Sequence, residues 1–354
     1  MANKNLNAAK TAKKDEFYAQ MADIERELQH YWQHFRDKVV LCNCDDPYES
    51  NFFKYFALNF NQLGLKKLIC TCFDGSPVQG NELLLDFGDF TEDPKKIAYK
   101  VEITEVKDLN GDGAVDLADV QYLLKNDKNA ISLLKQHGDF RSAECIDLLK
   151  QADIVVTNPP FSLFREYVGQ LMQYEKKFLI IGNQNNITYK EVFPLIMQNE
   201  LWLGYKSGDM AFKVPSDYEE RETRYWQDST GQKWRSMGNI CWFTNLDHNK
   251  RHEELDLVNR YSDEYPHYDN YNAIEVSRTS EIPCDYEGAM GVPITFLDKY
   301  NPEQFEILGA TENEATDNVK GLRIPGFVKY DRPYINGIRK YARILIRNKH
   351  PKQL

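Results

Sequence analysis

The residues best equipped for chemistry are Thr157-Asn158-Pro159-Pro160-Phe161. Two consecutive prolines fix two φ angles, remove two backbone donors and push Asn158 out of the helical region, so the loop is stiff and its carbonyls stay free. A rigid amide beside an aromatic face suits a flat heterocycle that carries an amino group. A second set, Asp45-Asp46-Pro47, puts two carboxylates in one loop. Such a loop holds ribose hydroxyls or a cationic amino group; alternatively, its acids offset a helix dipole. Asp139-Phe140 joins an acceptor for an exocyclic amine to an aromatic that covers its ring, which is what an adenine pocket requires. Asp108, Asn110, Asp112, Asp116 and Asp119 fall at positions 1, 3, 5, 9 and 12 of a loop with a glycine at the sixth. That is EF-hand spacing, except that Asp119 stands in place of the usual bidentate Glu. The loop reads either as a structural Ca2+ site or as an Asx-turn loop held by hydrogen bonds alone.

Each set needs an element to hold it. Asp153 to Thr157 is a β-branched run of the kind that fills a buried parallel strand, and Ser162 to Val168 has the spacing of an amphipathic helix. The Asn158 loop therefore joins strand to helix, and in parallel α/β sheets such loops at the carboxyl ends of the strands bind ligands. Val39 to Cys44 reads as the first strand, Ser50 to Phe60 as a helix with Ser50 as N-cap, and Lys67 to Cys72 as the second strand after a stop at Gly64. This βαβ unit lacks G-x-G-x-x-G, which leaves a pyrophosphate-anchored dinucleotide unsupported, and its acidic loop fits a cofactor with an amino-acid end and no phosphates. A helix is expected from Met21 to Phe35, and strands over 97–106, 177–181, 201–204 and 239–245. The last two close the sheet around a polar insert carrying Arg221, Arg224, Trp226, Trp234 and Arg235. Beyond Asp247 the chain becomes rich in Tyr, Asn, Asp and Pro, so a boundary is placed near 248, with a catalytic domain over 1–248 and a smaller domain over 249–354.

Composition narrows the function. A chain of 354 residues with 42% hydrophobic and 13% aromatic content builds a large α/β domain and a smaller companion. No apolar run reaches the ~18 residues that span a bilayer, and the first residues lack a signal-peptide core, so a cytoplasmic protein is expected. Seven cysteines have no disulfide-framework spacing; Cys42-x-Cys44 and Cys70-x-Cys72 are too closely spaced for a typical zinc site and lie in strand-like runs. The net charge is −10, yet residues 320–354 carry ten Lys/Arg and one acid, Asp331. A basic end on an acidic body suggests one face for a polyanion.

With these pieces in order, the chain resembles the EcoRI-type adenine-specific DNA methyltransferases over nearly its full length. The resemblance is carried by residues 15–18, 40–47, 50–56, 138–142 and 153–161, and further on by 187–191, 291–296 and 301–305. The Asn-Pro-Pro-Phe tetrad alone also marks methyltransferases of RNA or of protein amides; the runs 40–47 and 187–191 are more specific. The resemblance implies a Rossmann-like, mostly parallel S-adenosylmethionine-dependent methyltransferase sheet with an antiparallel closing strand, and a smaller C-terminal recognition domain. It implies double-stranded DNA as partner, a restriction endonuclease acting on the same site, and sequence-specific methylation of adenine N6. Carried over by residue, it gives Phe17, Tyr18, Asp45, Asp46, Pro47, Asp139 and Phe140 to the cofactor, and Asn158, Pro159, Pro160 and Phe161 to a flipped adenine. Two positions depart from the family pattern: Ala19 replaces a usual Thr, and Gln136-His137 replace a usual Gly-Asp.

Overall fold

The computed structural model describes residues 18–44, 47, 50–73, 98–108, 115–126, 130–214, 218–311, 317–327 and 332–353. These divide into two compact units, Met1–Gln184 with Lys206–Leu246, and Asn185–Tyr205 with Asp247–Leu354.

The first unit is built on a sheet whose strands are β1 (Tyr18–Ala19), β2 (Val39–Cys42), β3 (Lys67–Thr71), β4 (Tyr99–Ile103), β5 (Ile131–Leu133), β6 (Ile154–Thr157), β7 (Lys177–Asn183), β8 (Trp202–Lys213), β9 (Tyr225–Gln227) and β10 (Lys233–Thr244). Their order is β1-β8-β10-β7-β6-β2-β3-β4-β5, with β9 paired to β10. The centre, β7-β6-β2-β3, is parallel. Antiparallel strands flank it, β10 on one side and β4 with β5 on the other. Every residue of β2 and β6 is buried, as expected of strands covered on both faces.

Helices α1 (Met21–Leu28), α2 (Asn51–Leu58), α3 (Phe60–Leu63), α4 (Leu117–Asn126), α5 (Ala143–Gln151) and α6 (Phe164–Gln173) belong to the same unit. The helix expected over 21–35 stops at Leu28 and resumes as a 3-10 turn, Trp32–His34. The apolar spacing persisted because a 3-10 turn keeps nearly the same face inward. Ser50 caps α2 by accepting from Phe53 N at 3.4 Å, and Gly64 ends α3 with φ 64°. Ser142 caps α5 by accepting from Cys145 N at 3.2 Å.

The second unit holds α7 (Phe193–Met197) and a four-stranded sheet of β11 (Ile274–Glu275), β12 (Met290–Val292), β13 (Phe305–Ala310) and β16 (Ile344–Asn348), ordered β11-β12-β16-β13. A hairpin, β14 (Tyr334–Ile335) with β15 (Ile338–Arg339), precedes β16. Thus part of the basic C-terminal stretch is core: Ile344, Leu345 and Ile346 are buried, and Arg343 forks the buried Glu275 at 2.5–3.1 Å. Arg347 meets Glu306 at 3.3 Å. Among the described residues no helix is long and apolar enough to cross a membrane.

Candidate active site

The Asn158 loop leaves the carboxyl end of β6, between the parallel neighbours β2 and β7. Asp153 ties the start of β6 to β2 by accepting from Val39 N at 2.8 Å. At the other end Thr157 is fully buried, and its hydroxyl donates to the Asn43 carbonyl, just past the end of β2. Asn158 is 5% exposed, Pro159 is buried, and Pro160 and Phe161 are half-buried. Pro160 is extended at φ −54°, ψ 123°, and its carbonyl accepts from Leu163 N at 2.9 Å, closing a 3-10 turn over Phe161–Leu163 before α6 begins. The helix expected from Ser162 thus begins with one tighter turn, as 3-10 turns are common at helix starts.

Phe161 meets Phe212 of β8 edge to face, with ring centroids 6.4 Å apart. Phe212 is fully buried and lies opposite Ala19 in the β1–β8 pairing, where Tyr18 lies opposite Lys213. The N-terminal motif is thereby brought beside the Asn158 loop. Asn51, at the start of α2, fastens it by donating to the Ala19 carbonyl at 2.8 Å, and Gln20 donates to the Ala211 carbonyl at 3.2 Å. Pro47 is buried on the way into α2. Phe17, Asp45 and Asp46 lie outside the described residues.

Gly138 positions the Asp139-Phe140 pair. Its φ is +69°, and a Cβ there would stand 2.0 Å from the Cys72 carbonyl at the end of β3, so only glycine lets this loop press against the sheet. Asp139 accepts from Arg141 at both carboxylate oxygens, from Nε at 2.9 Å and Nη2 at 2.6 Å, and from Arg141 N at 2.9 Å. That hydrogen-bonded fork, with the charges of Asp139 and Glu166, pushes the Arg141 guanidinium further up from its ordinary value. Phe140 is buried and meets Tyr167 of α6 edge to face at 5.0 Å.

Three loops, after β2, β5 and β6, therefore converge at the carboxyl edge of the parallel strands, the one after β5 by lying against the end of β3. Their donor set suits S-adenosylmethionine: a carboxylate, a buried aromatic and a glycine cradle that a Cβ would fill, with no phosphate-binding loop among the described residues. Sequence reasoning missed Asn43, Asn51, Arg141, Tyr167 and Phe212. Asn43 and Asn51 flank the acidic loop and were there to be noticed; Tyr167 and Phe212 carry no signal beyond that of core aromatics.

Of the EF-hand-like positions, Asn110 and Asp112 lie outside the described residues. Asp116 caps α4, accepting from Ala118 N at 2.7 Å and Asp119 N at 3.3 Å, while Asp119 accepts in return from Asp116 N at 2.9 Å. That reciprocal pattern is a capping box built from two aspartates. Among the described residues no three His, Cys, Asp or Glu side chains gather to hold a metal.

Residues 5–349 match the family model for "Adenine-specific methyltransferase EcoRI". The chain is 48% identical to the Type II methyltransferase M.EcoRI of Escherichia coli, over 98% of this chain and 97% of that protein. It is 37% identical to the Type II methyltransferase M.MpnI of Mycoplasma pneumoniae and 36% identical to M.MgeORF184P of Mycoplasma genitalium, in each case over 97% of this chain and 98% of the relative. No solved structure matches. A match that runs through both compact units, on a fold whose Asn-Pro-Pro-Phe loop sits at the carboxyl edge of a parallel sheet, places the chain in the EcoRI family of adenine-specific methyltransferases.

Proposed function

We propose that this adenine-specific methyltransferase acts on double-stranded DNA, moving a methyl group from S-adenosylmethionine to N6 of an adenine extruded from a specific short sequence. The observation that carries the reading is the place of Asn158 to Phe161: a buried amide and a half-buried ring at the carboxyl end of β6, between its parallel neighbours β7 and β2.

When bound, S-adenosylmethionine supplies an electrophilic methyl on a sulfonium centre. Adenine N6 is a weak nucleophile because its lone pair is delocalised into the ring. The Asn158 side-chain oxygen and the Pro159 carbonyl accept its two hydrogens, drawing density to the nitrogen as it becomes tetrahedral. Fixed dipoles in a water-poor site favour that geometry over the planar ground state. Phe161 stacks on the extruded base and replaces part of the stacking lost on flipping, a cost of a few kcal/mol. On methylation N6 would carry the positive charge and lose one proton to solvent, so an amide, which cannot act as a base, suffices. Tyr18, Asp45, Asp46, Pro47, Asp139 and Phe140, with Phe17, hold the cofactor; alignment of the two reactants supplies much of the acceleration. Calcium at 108–119 rests on sequence spacing alone, and no step uses it.

The catalytic work is assigned to 1–248 and target recognition to 249–354, where the hairpin β14–β15, with Arg339 and the 79% exposed Tyr341, offers phosphate and base-edge contacts. The partner in the cell is a restriction endonuclease reading the same site, and both act in the cytoplasm, where the DNA lies. The test is Asn158→Ala with labelled S-adenosylmethionine: transfer to DNA falls by about 10²–10³, the loss typical of removing one such acceptor or donor, while cofactor and DNA binding persist. Unchanged transfer would refute the assigned role.

A further inference from the structure

The buried residues around Asn43 join loops that are far apart in sequence. Asn43 is 5% exposed and stands two residues before Asp45 of the acidic loop. Its backbone carbonyl accepts from the Thr157 hydroxyl, 114 residues away, and its side-chain oxygen accepts from the Tyr167 hydroxyl, 124 residues away. Thr157 and Tyr167 are both fully buried. The Tyr167 ring then supports Phe140 at 5.0 Å, and Gln170, one turn further along α6, donates to the Phe140 carbonyl at 3.1 Å. One asparagine and one tyrosine thus touch all three loops of the site: the acidic loop after β2, the Asp139-Phe140 loop beside β3, and the loop that carries Asn158.

We propose that Asn43 and Tyr167 are positioning residues that couple the cofactor loops to the base-holding loop, so that occupancy of one sets the placement of the other. The proposal rests on the reaction assigned above. Its physical basis is that a buried hydrogen bond is costly to leave unmade, so the three loops move together or not at all. Misplacement of a reacting group by about 1 Å costs on the order of 10²-fold in rate, which makes such a tie worth keeping. Coupling between two sites is reciprocal: a change on the base side must then appear as a change in cofactor affinity.

That reciprocity is what the test reads. Binding of S-adenosylhomocysteine, the demethylated cofactor, is measured by calorimetry on the full-length protein, alongside thermal melting. Tyr167→Phe removes one oxygen and keeps the ring; Thr157→Val removes a hydroxyl from the base-side strand. Each is expected to weaken binding about 3–10-fold, the double variant no more than the weaker single, because both act through Asn43. Thr157→Ser, which keeps the hydroxyl, restores wild-type affinity. Unchanged affinity in Tyr167→Phe and Thr157→Val, or losses that multiply in the double variant, would overturn the coupling. Should Thr157→Val fail to fold, Tyr167→Phe against wild type decides alone. Methyl transfer by wild type is scored separately: its absence would count against the assigned reaction and leave the affinities to decide the coupling.

Discussion

Asn158 and Phe161 differ in what surrounds them, and so in what their loss should do. Asn158 is nearly enclosed, whereas Phe161 is half-buried with one edge on Phe212 and packed against the core of its unit. A ring so held presents a fixed face, and base–aromatic stacking is worth about 1–3 kcal/mol. Phe161→Ala is therefore expected to lower kcat/KM for DNA about 10–100-fold, with Phe161→Tyr close to wild type, as checked by steady-state kinetics with DNA varied. At this scale the sequence was informative about the tetrad, because Pro-Pro after a β-branched run has few structural interpretations. It was silent about Asn43 and Tyr167, whose bond spans 124 residues and leaves no local pattern. It gave no sign either that the Asp139 carboxylate, expected as an acceptor for an exocyclic amine, is forked by Arg141.

Among the elements, those fixed by local chemistry were readable and those fixed by distant partners were not. The Ser50 cap, the left-handed Gly64 and the buried strands β2 and β6 follow from short-range rules. The outer strands do not: β8 and β10 each run 12 residues, whereas apolar patterning predicts only 201–204 and 239–245. Their remaining halves are polar and partly exposed, and are strands because they hydrogen-bond to each other and to β9. Phe212, which seats Phe161, lies in such a half. Helix α4 offers a test of local chemistry. Asp116 caps it with two backbone bonds, so Asp116→Ala should cost about 1 kcal/mol in urea unfolding, and Asp116→Asn, which keeps an accepting oxygen, most of an order less. Equal losses in both would show that charge, not capping, is what matters there.

For the molecule as a whole, stability against pH is set partly by a buried histidine in the second unit. His248 is 3% exposed and lies 3.0 Å from the Leu203 carbonyl through Nε2. Burial, with Arg251 and Lys250 nearby, pushes its pKa down to about 4 from 6.5. Between those values the unfolded chain takes up a proton that the folded chain refuses. The contribution is complete above about pH 6.5 and is lost as pH falls towards 4, up to about 3 kcal/mol. Wild type should melt progressively lower across that window, and His248→Gln should flatten the dependence; parallel curves would refute the assignment. The membership of Asn185–Tyr205 in this unit had no sequence signal, since it depends on contacts such as this one across 45 residues. The reaction itself is tested most directly by nucleoside mass spectrometry and methylation-sensitive sequencing of DNA from cells that express the protein. The account predicts N6-methyladenine at one short recurring sequence, absent from cells expressing Asn158→Ala. DNA without methyladenine, or with methyladenine equally present in the Asn158→Ala cells, would contradict it.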